Sequence, residues 1–269
     1  MCPQKKHQMK KISIICTLLF IVVFSASAQK RKKNTAPVKE TKPKVNIDSL
    51  AQQIAISFGD YDKAITFEYR LLAQDPGNVN KVFHLAQLYY AAKNYKMSLN
   101  FCTIVANNDS LNNQSAMELA ALNLVGLKAN DKAVELYKAM ASKFNSPNYL
   151  YQASIIEFET KKMDDCIATL NTVLKDSLAV DQKIAMSRKN AVGKVIKEDV
   201  GLIAAALNIL GFVSLEKENY PEAKKYFSNA LVIQPNFILA ENNLKEVIKK
   251  EEAESKKEEA TKAIPLRNN

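Results

Sequence analysis

Residues 207–235 read LNILGFVSLEKENYPEAKKYFSNALVIQP, and the spacing of large and small side chains in this stretch decides the fold. Leu207, Leu210, Gly211 and Ser214 recur at three- to four-residue intervals, and so do Ala223, Phe227 and Ala230. That is the period of a helix and not of a strand. Gly211 and Ala223 are small enough to let two paired helices approach closely, while Leu210 and Phe227 fill the gaps between them. Pro235 ends the second helix and sets a turn.

Shifted copies of the pattern lie upstream. Val82, Leu85, Ala86 and Tyr89 repeat the first half and lead to Ser98 and Cys102, with Ser110 where Pro235 would stand. Asp60, Tyr61, Asp62, Lys63, Ala64 and Ile65 repeat the second half and run to the turn Asp75-Pro76-Gly77-Asn78. The small residues Ala64, Ser98, Ala133, Cys166 and Ala223 are separated by 34, 35, 33 and 57 positions. The last interval is one unit plus 23 residues. This arrangement resembles the tetratricopeptide repeat (TPR), with Leu207 replacing the usual Trp and Ser214 the usual Tyr. The resemblance covers roughly residues 48–250.

The resemblance implies an all-α TPR α-solenoid of about five helix pairs, placed at 48–74, 79–107, 113–143, 147–175 and 202–233. A capping helix is expected over 237–262. Its Leu239, Leu244, Val247 and Ile248 face the last pair, and beyond Glu251 it continues on charge pairs four residues apart. The extra residues, 179–201, contain a turn-like run around Asn190 followed by alternation from Lys194 to Val200. A small β-hairpin near 181–200 is expected there, with a short irregular helix as the alternative.

The chain divides into three parts on this reading. Residues 1–28 have the layout of a secretory signal: Lys5, Lys6, Lys10 and Lys11, an apolar run from Ile12 to Phe24, then the small residues around Ala28. Cleavage after Ala28 is expected, which makes the protein exported, periplasmic or secreted. Met9 is an alternative start. Residues 29–44 form a basic, disordered linker, and 45–269 the TPR domain. Of 38 Lys and Arg and 28 Asp and Glu, eleven basic residues and one acid lie in 1–44, leaving 27 of each sign in the rest. The repeat body is therefore neutral and carries no basic face for nucleic acid. Membrane contact is expected only through the signal segment or the linker.

The chain offers little for catalysis. Beyond the signal it holds one histidine, His84, and two cysteines, Cys102 and Cys166. These are too few for a usual zinc site. No nucleotide-binding, zincin or serine-hydrolase motif occurs. His84, beside Leu85 on a repeat helix, reads as structural or solvated. Cys102 and Cys166 lie two repeats apart, so stacking puts them on the order of 20 Å apart and out of disulfide range. No enzyme activity, cofactor or metal is expected. Asp-Ser-Leu occurs at Asp48, Asp109 and Asp176, making Ser49, Ser110 and Ser177 candidate O-glycan sites, against the simpler role of helix starts and turns.

A protein or peptide partner is expected on the concave face. By resemblance, the first helix of each pair lines that face. The candidates are Phe83, Gln87 and Tyr90; Met117, Ala121 and Leu124; Tyr151, Ile155 and Phe158; and Asn208 and Phe212. They lack the basic set that clamps a C-terminal carboxylate and are rich in aromatic side chains, which supply binding energy in grooves. The alternative is a structural subunit of an envelope complex, its groove covered by the chain itself.

Overall fold

The computed structural model describes residues 46–108, 113–189 and 193–262. The signal segment, the basic linker, Ser110 and the tip of the insertion lie outside the described residues. Within them, helices pair in sequence order: α1 (Ile47–Ser57) with α2 (Tyr61–Gln74), α3 (Val79–Ala91) with α4 (Tyr95–Ala106), and α5 (Asn113–Gly126) with α6 (Asn130–Phe144). The series continues with α7 (Asn148–Glu159) and α8 (Met163–Lys175), then α9 (Leu202–Glu216) and α10 (Tyr220–Ile233), and closes on α11 (Ile238–Lys262). The insertion between the fourth and fifth pairs is a hairpin. Its strands β1 (Lys183–Lys189) and β2 (Val195–Gly201) run antiparallel, with Ile184 opposite Val200 and Met186 opposite Glu198. Five pairs, hairpin and final helix all take the places the repeat spacing indicates.

One hydrogen bond recurs where the paired helices come closest. The Ser98 hydroxyl donates to the Ala86 carbonyl at 2.8 Å, and the Cys166 thiol to the Ser154 carbonyl at 3.4 Å, each across 12 residues. In the first pair the direction reverses, and the Gln52 amide donates to the Ala64 carbonyl at 3.3 Å. Ala121 with Ala133 and Gly211 with Ala223 hold the same two positions, and all four are buried. Small residues are needed there because the backbone of one helix lies against the other.

The turn inside each pair is equally regular. Gly59, Lys93, Lys128, Lys161 and Glu218 all have positive φ, between 57° and 71° for four of them and 60° at Lys128. Asn94 N–H donates to Tyr89 O and Lys93 N–H to Tyr90 O, both at 2.9 Å, and the same two bonds recur in every pair. This is a Schellman ending, which closes the carbonyls left open at a helix C-terminus. The next residue then starts the second helix, with Asp60, Asn94 and Asn219 accepting from its backbone.

Each pair stacks on the one before through the same face of its first helix. Ala116, Leu119 and Asn123 of α5 lie on Cys102 and Val105 of α4, and the Asn123 amide donates to the Ser98 hydroxyl at 2.7 Å. Tyr149 and Ile156 of α7 pack with Tyr137 and Met140 of α6. Ile209 and Val213 of α9 join Leu170 and Val173 of α8, and Val247 of α11 meets Phe227 of α10. Asp176 caps the short turn Ser177–Ala179, accepting from Leu178 N–H at 2.9 Å, a structural role for one Asp-Ser-Leu tripeptide. Cys102 and Cys166 are both free and fully buried.

Candidate binding face

The first helices α3 and α5, and α7 and α9, contact one another across the intervening second helix more extensively than any two second helices do. The solenoid therefore closes toward the first helices, and their free sides make the inner face. Three positions of each first helix decide what that face presents.

The helix-pair contact sets the register. In α7 the contact residue is Ser154, and the inner-face positions are three before it, one after and four after: Tyr151, Ile155 and Phe158. In α3 the contact is Ala86, which gives Phe83, Gln87 and Tyr90. In α9 it is Gly211, which gives Asn208 and Phe212. In α5 it is Ala121, so the equivalent residues are Glu118, Leu122 and Val125. The expected Met117, Ala121 and Leu124 are one step out of register. Ala121 is fully buried in the cluster that holds Ala133, and Met117 and Leu124 pack against that cluster. The small-residue spacing of 12 was the signal that places α5 correctly.

The expected residues also divide by exposure. Phe83, Tyr151 and Asn208 are buried and serve as core. Phe83 packs with Cys102 and Leu119. Tyr151 belongs to the large cluster that also holds Leu170, Leu202 and the hairpin residues Ile184 and Val200, and the hairpin itself packs on α9. Asn208 accepts from the Asn243 amide of α11 at 2.9 Å, a buried polar pair between the last two first-type helices. Gln87, Tyr90, Leu122, Val125, Ile155, Phe158 and Phe212 stay half-buried, each with part of its surface open.

These open residues are tied together along the face. The Phe158 and Phe212 rings meet at 6.2 Å between centroids, and Tyr90 meets Tyr95 at 5.7 Å. Lys161 stands 5.7 Å over the Phe158 ring and pairs with Glu216 at 2.6 Å, bridging the fourth and fifth pairs. Glu118, between the second and fourth pairs, accepts from the Tyr149 hydroxyl, which in turn accepts from Gln114 at 2.6 Å. Burial first, then the bond to Glu118, pushes the Tyr149 phenol well above its ordinary value. Burial likewise raises Tyr90, with Tyr95 adding to it. Both phenols stay protonated at neutral pH, and that of Tyr149 is a fixed donor to Glu118.

A second polar group lies at the first repeat. Glu68 is buried at the position that Cys102, Tyr137, Leu170 and Phe227 hold in the other second helices. It accepts from the Gln52 amide and meets His84 Nδ1 at 3.0 Å. Burial opposes its charge, yet the bonds from His84 and Gln52 outweigh it, and the carboxyl titrates below its ordinary value. His84 is thus a structural partner of Glu68. An acid at a position otherwise apolar was the trace this group left in the sequence.

An open cleft of about 520 Å³ lies elsewhere, between α6, α8 and the start of α7, lined by Lys138, Pro147, Leu150, Thr172 and Asp176. None of the inner-face residues reaches it. Among the described residues no group of three or more His, Cys, Asp or Glu is arranged to hold a metal ion, and no helix is long and apolar enough to cross a membrane.

The repeated pair, its Schellman turn and its stacking face define a helical repeat solenoid. No protein-family model matches the chain, and no curated protein matches its sequence. Solved structures do. The C-terminal part of a TPR repeat-containing protein from Cytophaga hutchinsonii matches at a TM-score of 0.54 and 12% identity, over 76% of this chain and 72% of that one. A tetratricopeptide repeat protein from Parabacteroides merdae matches at 0.42 and 16%, over 75% and 70%. YrrB, described as a TPR protein with an unusual peptide-binding site, matches at 0.47 and 16%, over 72% and 88%. The chain has the tetratricopeptide-repeat fold.

Proposed function

We propose that the protein is a non-catalytic scaffold that holds a protein or peptide segment against its inner face after export to the cell envelope. The observation that carries this reading is the run of half-buried apolar side chains on successive first helices: Tyr90, Leu122, Val125, Ile155, Phe158 and Phe212. Such side chains are costly to leave in water and typically mark an interaction site when contiguous. Aromatic members would carry most of the affinity. Export rests on the signal-like first 28 residues. A second reading, an assembly subunit with its face occupied by its own chain, draws on the hairpin, whose Ile184 and Val200 join the core cluster that Tyr151 shares and that Ile155 and Phe158 pack against. Gln87, Tyr90, Leu122, Val125 and Phe212 lie outside that cluster.

The test is site-specific photo-crosslinking in the native cell. A benzophenone side chain at Gln87 or Leu122, both on the inner face, should give a discrete adduct. The same probe at Ile104, exposed on the second helix α4, should not. Adducts at Ile104 with none at Gln87 and Leu122 would place the partner on the outer face.

A further inference from the structure

The stacking face offers a direct comparison across the molecule. One residue of each first helix sits at its centre: Ile54, Leu88, Asn123, Ile156 and Val213, then Val247 of α11. The last five are buried, at 8% exposure or less, against the second helix of the preceding pair. Ile54 is 51% exposed. Its neighbours on the same face of α1 and its turn are equally open, with Ile47 at 79%, Leu50 at 49% and Phe58 at 84%. The spacing 47, 50, 54 and 58 follows one helical stripe. The sequence of α1 thus carries an apolar stacking face with no helix on it among the described residues.

We propose that this face is covered by α1 of a second copy of the chain, in a two-fold pairing. Three observations select that occupant. First, the stripe is electrically neutral. The one charged residue of α1, Asp48, is turned to Arg70 of its own chain at 3.6 Å, and the exposed flanks are Gln53 and Ser57. An antiparallel pair brings Ile47 to Phe58 and Leu50 to Ile54 without opposing like charges, the self-complementarity that a two-fold contact requires. Second, the opposite end of the solenoid offers no matching apolar stripe along a helix. Leu244 and Val247 of α11 pack toward Phe227 of α10, and its exposed side carries Lys245, Glu246, Lys249 and Lys250, so a head-to-tail stack would set the α1 stripe against charge; the exposed Val232, Ile233 and Ile238 lie where α10 ends and α11 begins and not along that side. Third, resting on the removal of residues 1–28 proposed above, the chain left before Asn46 is basic and holds few apolar residues, too few to cover the stripe from within one molecule. Four such side chains amount to on the order of 500 Å² per copy, at the size that marks an interface. A pair then buries on the order of 1,000 Å², at the low end of specific contacts and the size of weak, reversible association. Such a dimer would join two inner faces in one particle and give the scaffold two-point attachment.

The test is the mass of the protein, as purified from the cell that processes it, by light scattering from about 1 to 200 µM. The wild type should pass from monomer to dimer over that range. Leu50→Glu with Ile54→Glu should remain monomeric with an unchanged circular dichroism spectrum, and so should Ile47→Glu with Phe58→Ser. Val232→Glu with Ile233→Glu, at the exposed apolar pair where α10 ends, should still dimerise. A wild type that stays monomeric throughout, a dimer indifferent to both α1 variants, or a dimer lost only at Val232 and Ile233 overturns the proposal. None of these variants touches the inner face, so the photo-crosslinks at Gln87 and Leu122 report on partner binding separately.

Discussion

The ring of Phe227 lies where a β-carbon on Gly211 would stand, with three ring atoms between 2.5 and 2.7 Å of that point. Phe227 is fully buried and held by Val247 and Phe212, so it has nowhere to move. Gly211→Ala should therefore destabilise the fifth repeat by about 2–3 kcal/mol, the cost of overpacking a filled core. Gly126→Ala meets the Tyr95 ring at 2.7 Å, but that ring is half-exposed and can swing aside. It should cost less than about 1 kcal/mol. Thermal unfolding of the two variants side by side measures the difference, and equal losses would contradict it.

Three turns carry lysine where the backbone favours glycine. Lys93, Lys128 and Lys161 have φ near 60°, the conformation Gly59 adopts in the first pair. Lys93→Gly and Lys128→Gly should each stabilise the fold by about 0.5–1 kcal/mol, relief of left-handed strain exceeding the added freedom of the unfolded chain. Lys161→Gly should gain less, because it also removes the contacts with Phe158 and Glu216. Denaturant titration of the single variants would show the order, and a loss at Lys93 and Lys128 would refute the strain argument.

How the sequence encodes these features explains what could be read from it. Small residues at the helix contact repeat at nearly constant spacing, and they alone locate the pairs and the 23-residue excess that holds the hairpin. Alternation in the insertion reveals the strand because Val200 must turn inward while Asp199 stays exposed. The rotation of α5 was harder. Apolar residues occupy several of its sides, Met117 and Leu124 as well as Leu122 and Val125, so periodicity does not select one face. The burial of Phe83, Tyr151 and Asn208 was out of reach, since it depends on how the neighbouring helices pack over them.

Acid should weaken the first repeat. Glu68 titrates below its ordinary value in the folded chain, the bonds from His84 and Gln52 outweighing the opposing effect of burial. A lowered folded-state value means the charged form is favoured by folding, so this stabilisation is present above the ordinary carboxylate range. It is lost as pH falls from about 4.5 through the lowered value. Glu68→Gln should flatten that part of the acid stability curve. His84→Ala should cost about 1–3 kcal/mol at neutral pH by leaving a buried carboxylate short of a partner. An acid limb that is identical in wild type and Glu68→Gln would exclude this source.

The two cysteines should be silent to thiol reagents in the folded protein. Burial pushes the Cys102 thiol up to about 11 and the Cys166 thiol up to about 12, so both are protonated at neutral pH and shielded from solvent. Ellman's reagent at pH 8 should react with neither until denaturant is added. Fast reaction of the native protein would show that the second or fourth pair opens readily.

The inner face itself separates binding from stability once its residues are sorted by burial. Tyr151 is 3% exposed within the largest cluster, so Tyr151→Ala should cost about 3–5 kcal/mol and lower the melting temperature whatever the face binds. A loss of partner capture in that variant would say nothing about contact. Leu122 and Gln87 are half-buried and belong to no core cluster. Gln87→Ala with Leu122→Ser should therefore change stability by about 1 kcal/mol or less. If the partner lies along the first helices, capture by this variant should fall at least tenfold, a loss of about 1.4 kcal/mol or more in binding. Phe158→Ala should fall between the two, since its ring packs on Phe212 and also lies open beside Lys161. Capture measured per folded molecule, with melting followed on the same samples, decides the matter. Full capture by Gln87→Ala with Leu122→Ser would move the binding surface off this face.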